Sequence, residues 1–221
     1  MLASSGPLTP MTDLDLTSLT LLKGGHGSRA EGVCLMEAFA WWRGIDHTDH
    51  PACVSPAIGN YGRQLNDCLP DDRRAELAAQ APGLFAAMMD TAGDGKDETR
   101  GFIALDFLTR TWLPAWLDLA GLTDDAAGLR AHPRVDTLES AKSAGSLVRK
   151  ARAHSAAAGD AAWAAAGDAA WDAAGAAAGA AAGAAARAAA REFLSPTVAA
   201  LQEQAIGLFP VLIRGEWPGV Q

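Results

Sequence analysis

A chain of 221 residues is long enough for one good-sized domain or two small ones, and a core of that size forms without a disulfide or a metal. With 26 acidic and 18 basic residues the formal net charge is −8, which argues against a phosphate backbone as the main partner. Three cysteines leave one over from any pairing, so reduced thiols in a cytoplasm are expected.

Residues 1–12 are small, polar and proline-containing, with neither a basic stretch nor an apolar run. No signal peptide is expected there, disorder is, and Met11 competes with Met1 as the native start. Leu14, Leu16, Leu19, Leu21 and Leu22 fit a short helix or a strand, and a glycine-rich loop follows at residues 23–28. Residues 31–42 read as a helix, with Val33, Met36, Phe39 and Ala40 at helical spacing. Ser55 and Pro56 open a helix that runs to about Cys68, as N-cap and first helical residue. Pro70 precedes the next, whose apolar face holds Leu77, Leu84, Phe85 and Met88. Residues 97–119 form a long apolar helix that Pro114 should kink or break in two. A short helix starts at Thr123 and stops before Pro133. From residue 136 to 191 nothing compels a stop, and a last helix is expected from Ser195-Pro196 to about Phe209, before Pro210.

The class is therefore all-α: a helical bundle with a long Ala/Gly-rich C-terminal helix. A single helical domain is expected over residues 13–221, its His/Cys-bearing half at about 13–133 and its Ala-rich half at about 134–221. In the second half Gly159, Trp163, Gly167, Trp171, Gly175, Gly179, Gly183, Arg187 and Arg191 keep an unbroken period of four amid alanine. Each interior glycine costs about 1 kcal/mol relative to alanine, so five cost roughly 5 kcal/mol. A glycine ridge that lets neighbouring backbones approach would offset this and would also permit self-association. The competing reading is repeat expansion in an exposed helix.

The most chemical stretch holds His26, Glu31, Cys34, Glu37, His47, Asp49, His50 and Cys53. His47, His50 and Cys53 are three apart, and imidazole and thiolate suit zinc, with Cys34 or Glu37 as a fourth ligand. The spacing matches no established zinc signature. The alternative is a buried Cys34 packing as a small hydrophobe, with the histidines as loop polar groups. A third reading makes Cys34 a nucleophile near a helix N-terminus, with Glu37 and a histidine beside it. That resembles the cysteine-bearing helix of papain-like and transglutaminase-like folds, which draw their histidine and acid from a sheet not expected here.

Gly25-His26-Gly27-Ser28, Glu31-Gly32-Val33-Cys34-Leu35-Met36-Glu37-Ala38, His47-Thr48-Asp49-His50-Pro51-Ala52-Cys53-Val54-Ser55-Pro56 and Leu65-Asn66-Asp67 together resemble a group of uncharacterised actinobacterial and actinophage proteins. Many of these also end in an Ala-rich repeat tail. The resemblance implies a bacterial or phage cytoplasmic origin and supplies no activity. The tail also resembles, by composition, those of helical bacteriocin immunity proteins.

Lys142, Arg149, Lys150 and Arg152 read as a solvated face and not a nucleic-acid contact. Trp112 and Trp116 should pack as one patch. The longest uncharged small or apolar run, residues 173–186, is shorter than the roughly 18 residues of a membrane span. Walker A loops, dinucleotide-binding glycines and serine elbows are absent. The expected function is a non-catalytic helical accessory or interaction protein with an unidentified protein partner and, on one reading, a structural metal. The alternative is a metal- or thiol-dependent enzyme built on Cys34 and Glu37, and an immunity-type protein stands behind both.

Overall fold

Among residues 15–172 and 176–217, which the computed structural model describes, every regular element is helical and there is no strand. The all-α class is what the chain adopts. A 3-10 turn at Leu16–Ser18 precedes α1 (Leu35–Arg43), α2 (Pro56–Cys68), α3 (Asp71–Ala79), α4 (Ala81–Met88) and α5 (Asp97–Phe107). A π-helical stretch, Leu108–Trp112, then leads into α6 (Leu113–Leu119), α7 (Thr123–Ala131), α8 (Leu138–Asp172) and α9 (Ala176–Arg214). The expected disorder of residues 1–12 lies outside the described residues. So does Gly175 of the four-residue series; Gly159 and Gly167 lie in α8, Gly179 and Gly183 in α9, and the packing around those four also lies outside them.

The chain divides into two compact units, Met1–Gly101 with Gln204–Gln221, and Phe102–Glu203. Composition suggests a boundary near residue 133, but packing follows the core. The last turns of α9 bury Ile206, Phe209 and Ile213 with Leu35, Phe39, Ile58, Leu77 and Phe85 of the first unit. By length and composition Leu194–Arg214 could cross a membrane. A mostly buried core helix passes the same test; here 28% of the stretch is buried, these three side chains among it.

Within the first unit α1 packs on α2 and α4. Gly62 on α2 permits the close approach: a Cβ there would sit 3.1 Å from Met36 Sδ and 3.2 Å from Phe209 Cζ. Tyr61 stacks on Phe209 with ring centroids 5.7 Å apart and donates to the Ala205 carbonyl at 2.9 Å. Within the second unit α6, α7 and α8 bury Leu117, Ala126, Leu129 and Ala151 together. Trp112 and Trp116 pair with centroids 5.8 Å apart, as their spacing suggests.

Several boundaries differ from the sequence expectation, each for a local reason. α1 begins at Leu35 and not at residue 31, because Gly32 takes φ 130°, outside any helix. A Cβ on Gly32 would overlap Leu22 Cδ1. The helix expected after Pro70 splits at Gln80, since the Pro82 ring excludes a continuous turn. Pro114 divides the long apolar helix as expected: the backbone upstream widens, and Leu113 N–H bonds Leu108 O, five residues back. Conversely, Pro196 and Pro210 do not bound a helix; α9 runs through both. Burial of Phe209 before Pro210 and of Leu212 and Ile213 beyond it offsets the roughly 3 kcal/mol that an interior proline costs.

Candidate functional site

The His/Cys/carboxylate block converges on Glu37, which is 2% exposed. As the third residue of α1, Glu37 turns back over the helix start. Its Oε2 accepts from the Cys34 backbone N–H at 2.7 Å, the acidic half of a capping box. The same oxygen receives His26 Nδ1–H at 2.8 Å, and Oε1 receives the His26 backbone N–H at 2.7 Å. His47 Nε2 lies 3.5 Å from Oε1 and donates to the His26 carbonyl at 2.8 Å, leaving its Nδ1 buried without a hydrogen-bond partner among the described residues. Burial alone would raise the Glu37 pKa; the N–H groups of Cys34 and His26 and the His26 ring outweigh it and hold the carboxyl below its usual range.

A second buried polar residue locks the corner from α2. Asn66, fully buried, donates to the Leu22 carbonyl at 2.9 Å and accepts from the Leu35 N–H at 3.2 Å. Asp67 accepts from Gly24 N–H at 2.8 Å. Glu31 accepts from Gly27 N–H at 3.0 Å and the Ser28 hydroxyl at 3.2 Å. Residues 24–37 and 65–67, far apart in sequence, thus form one hydrogen-bonded unit.

Cys34 is the N-cap of α1 and packs in the apolar core, 3% exposed. Burial pushes its thiol up to about 12, despite hydrogen bonds from Glu37 and Met36 backbone N–H groups, and the Glu37 charge adds to the rise. A thiol so placed does not ionise near neutral pH. The four residues with metal-ligand chemistry, His47, His50, Cys53 and Cys34, are not brought together. Among the described residues no three His, Cys, Asp or Glu side chains are placed to hold a metal ion. His47 turns inward to Glu37; His50, 68% exposed, pairs with Asp49 at 2.5 Å; Cys53 packs against the apolar core. The physical reason is the loop at residues 44–55, which places successive members of the His-x-x-His-x-x-Cys series in different surroundings.

Sequence reasoning missed a second polar cluster. Arg100, 1% exposed, makes a two-pronged pair with Asp94 at 2.7 and 2.6 Å and reaches Asp97 at 3.1 Å. It also donates to the Leu212 and Ile213 carbonyls at 3.0 and 3.1 Å, and Lys96 reaches the Arg214 carbonyl at 2.9 Å. These are carbonyls of the last turn of α9, where Gly215, at φ 60°, closes the helix and its N–H also reaches the Leu212 carbonyl at 3.0 Å. Arg100 holds Asp94 below the usual carboxylate range. The only sequence signal was Asp97 three residues before Arg100 at a helix start.

Comparison with known proteins adds no relative: no family model, curated protein or solved structure matches this chain.

Proposed function

We propose that the chain is a non-catalytic helical interaction protein of bacterial or phage origin, acting in the cytoplasm, in which the His/Cys/Glu block is a structural corner. The observation that carries this reading is the state of Glu37. A buried carboxylate that accepts two backbone N–H groups and an imidazole N–H has about three of its four acceptor sites taken by the fold. Cys34, capping the same helix, is buried and un-ionised. A catalytic constellation requires an accessible nucleophile, a base and an orienter, and the block supplies only the last two. In the second unit Leu105, Leu108 and Trp112 remain exposed within eight residues, which favours a protein contact over a solvated face.

A second reading, a thiol-dependent enzyme, draws on one feature. The His26–Glu37 pair has the geometry of a base and its orienting acid. Elemental analysis of the purified full chain tests the structural reading against the metal alternative. Substoichiometric zinc, with a melting curve indifferent to chelator, supports it. Near one equivalent of metal, lost in His50→Ala or Cys53→Ser, would replace it with a metal-dependent one.

A further inference from the structure

Away from the Glu37 corner, the first unit carries a cleft of about 450 Å³, within the size range of small-molecule sites. One wall is a face of α2, where Pro56, Gly59 and Arg63 follow at helical spacing. His50 and Asp97 also line it, with apolar surface from Pro51 and Val54.

The cleft holds two opposite charges that do not neutralise one another. The Arg63 guanidinium lies back over Gly59, where a Cβ would sit 3.5 Å from Nη1. It donates once, to the Asp49 carbonyl at 2.8 Å, and its Nε is 3.9 Å from Asp49 Oδ2. A guanidinium has five donors, so most of its fork is unfilled. At the other end, Asp97 Oδ1 accepts from the Ser55 hydroxyl and from Arg100 at 3.1 Å. Its Oδ2 has no hydrogen-bond partner among the described residues.

Gly59 is four residues beyond Ser55, about 6 Å along the helix axis. Arg63 and Asp97 form no direct ion pair with one another among the described residues, yet both line the one cleft, so a single small molecule in it can touch both. An anion alone would face Asp97, and a cation alone would face Arg63. A molecule with an amino and a carboxylate group on one carbon offers each side chain a charge-assisted hydrogen bond of about 2.8 Å. We infer that this cleft binds a free α-amino acid. Its carboxylate lies on Arg63 with His50 beside it, its ammonium on Asp97, and an apolar side chain against Pro51, Val54 and Pro56.

The test is an amide chemical-shift titration of the full chain with L-leucine. Isocaproate, which lacks the amino group, and isoamylamine, which lacks the carboxylate, are titrated beside it. The expected result is saturable shifts at Ala52, Gly59 and Gly93, with each single-charge analogue at least about tenfold weaker. Arg63→Gln and Asp97→Asn should each weaken leucine by a similar factor. The analogue series in the unaltered chain decides the matter even where a variant folds poorly. No saturation by leucine at about 50 mM overturns the inference, as do equal shifts from the analogues, or an unchanged affinity in a folded Arg63→Gln.

Discussion

Replacing Glu37 by glutamine changes one oxygen to an amide nitrogen and leaves the shape intact. Whichever way the amide turns, it sets an NH2 group against native donors. In one orientation the His26 backbone N–H loses its acceptor; in the other, both Cys34 N–H and His26 Nδ1–H do. Hydrogen bonds to a charged group contribute about 1.5–3 kcal/mol, and a buried donor left unsatisfied costs about 1–3 kcal/mol. The remaining oxygen still accepts on one side, so the net loss should be about 3 kcal/mol. A global midpoint reports on both compact units at once. Native-state hydrogen exchange at the amides of α1, in the first unit's core, isolates the effect. Protection there should fall by about two orders of magnitude, since each 1.4 kcal/mol is a factor of ten. Unchanged or increased protection would refute the reasoning. A residue held for chemistry is commonly stabilised by its removal, whereas a corner residue is not.

Acidification should weaken the same unit. Glu37 and Asp94 both have folded-state pKa values below their ordinary ones, so their contribution is present above the unfolded carboxylate range. It should be lost as pH falls through the lower folded values, and Glu37→Gln should flatten that decline in urea melts across acid pH. Arg100→Met removes the clamp on Asp94 and on the α9 carbonyls, and should cost about 3 kcal/mol by denaturant unfolding. Gly62→Val forces a side chain against Met36 and Phe209 and should cost about 1–3 kcal/mol. Gly101→Ala, where a Cβ meets nothing within 4 Å, should instead gain up to about 1 kcal/mol. A Gly62→Val chain as stable as the unaltered one would mean that α2 does not approach α1 and α9 as closely as described.

The helical class was legible because the signals are local: the Ser55-Pro56 start, the Thr123 start, and Pro114 dividing an apolar run. Helix ends were less so where a tertiary contact decides. Pro210 reads as a stop until Leu212 and Ile213 are seen to be buried beyond it. Gly32 reads as a helical residue until Leu22 is found against it. Within the block, sequence spacing brought His26, Cys34 and Glu37 to notice and gave no means of choosing among ligand, nucleophile and cap. That choice rests on Asn66 and on the turn at residues 24–34, which place the carboxylate under backbone N–H groups. Of the Arg100 cluster only the nearby Asp94 and Asp97 were within reach of the sequence, because its other acceptors, Leu212 and Ile213, are more than a hundred residues away.

Thiol labelling of the native chain tests the structural reading of the block most directly. Cys34 is buried with its thiol pushed up to about 12, whereas Cys68 is exposed at the end of α2. Treated with iodoacetamide at neutral pH and mapped by mass spectrometry, the protein should be alkylated at Cys68 well before Cys34. Cys34 should react only as slowly as α1 opens, and Glu37→Gln should accelerate it. Rapid alkylation of Cys34 in the unaltered, folded protein would contradict the account, and would make the His26–Glu37 pair the base of a thiol enzyme.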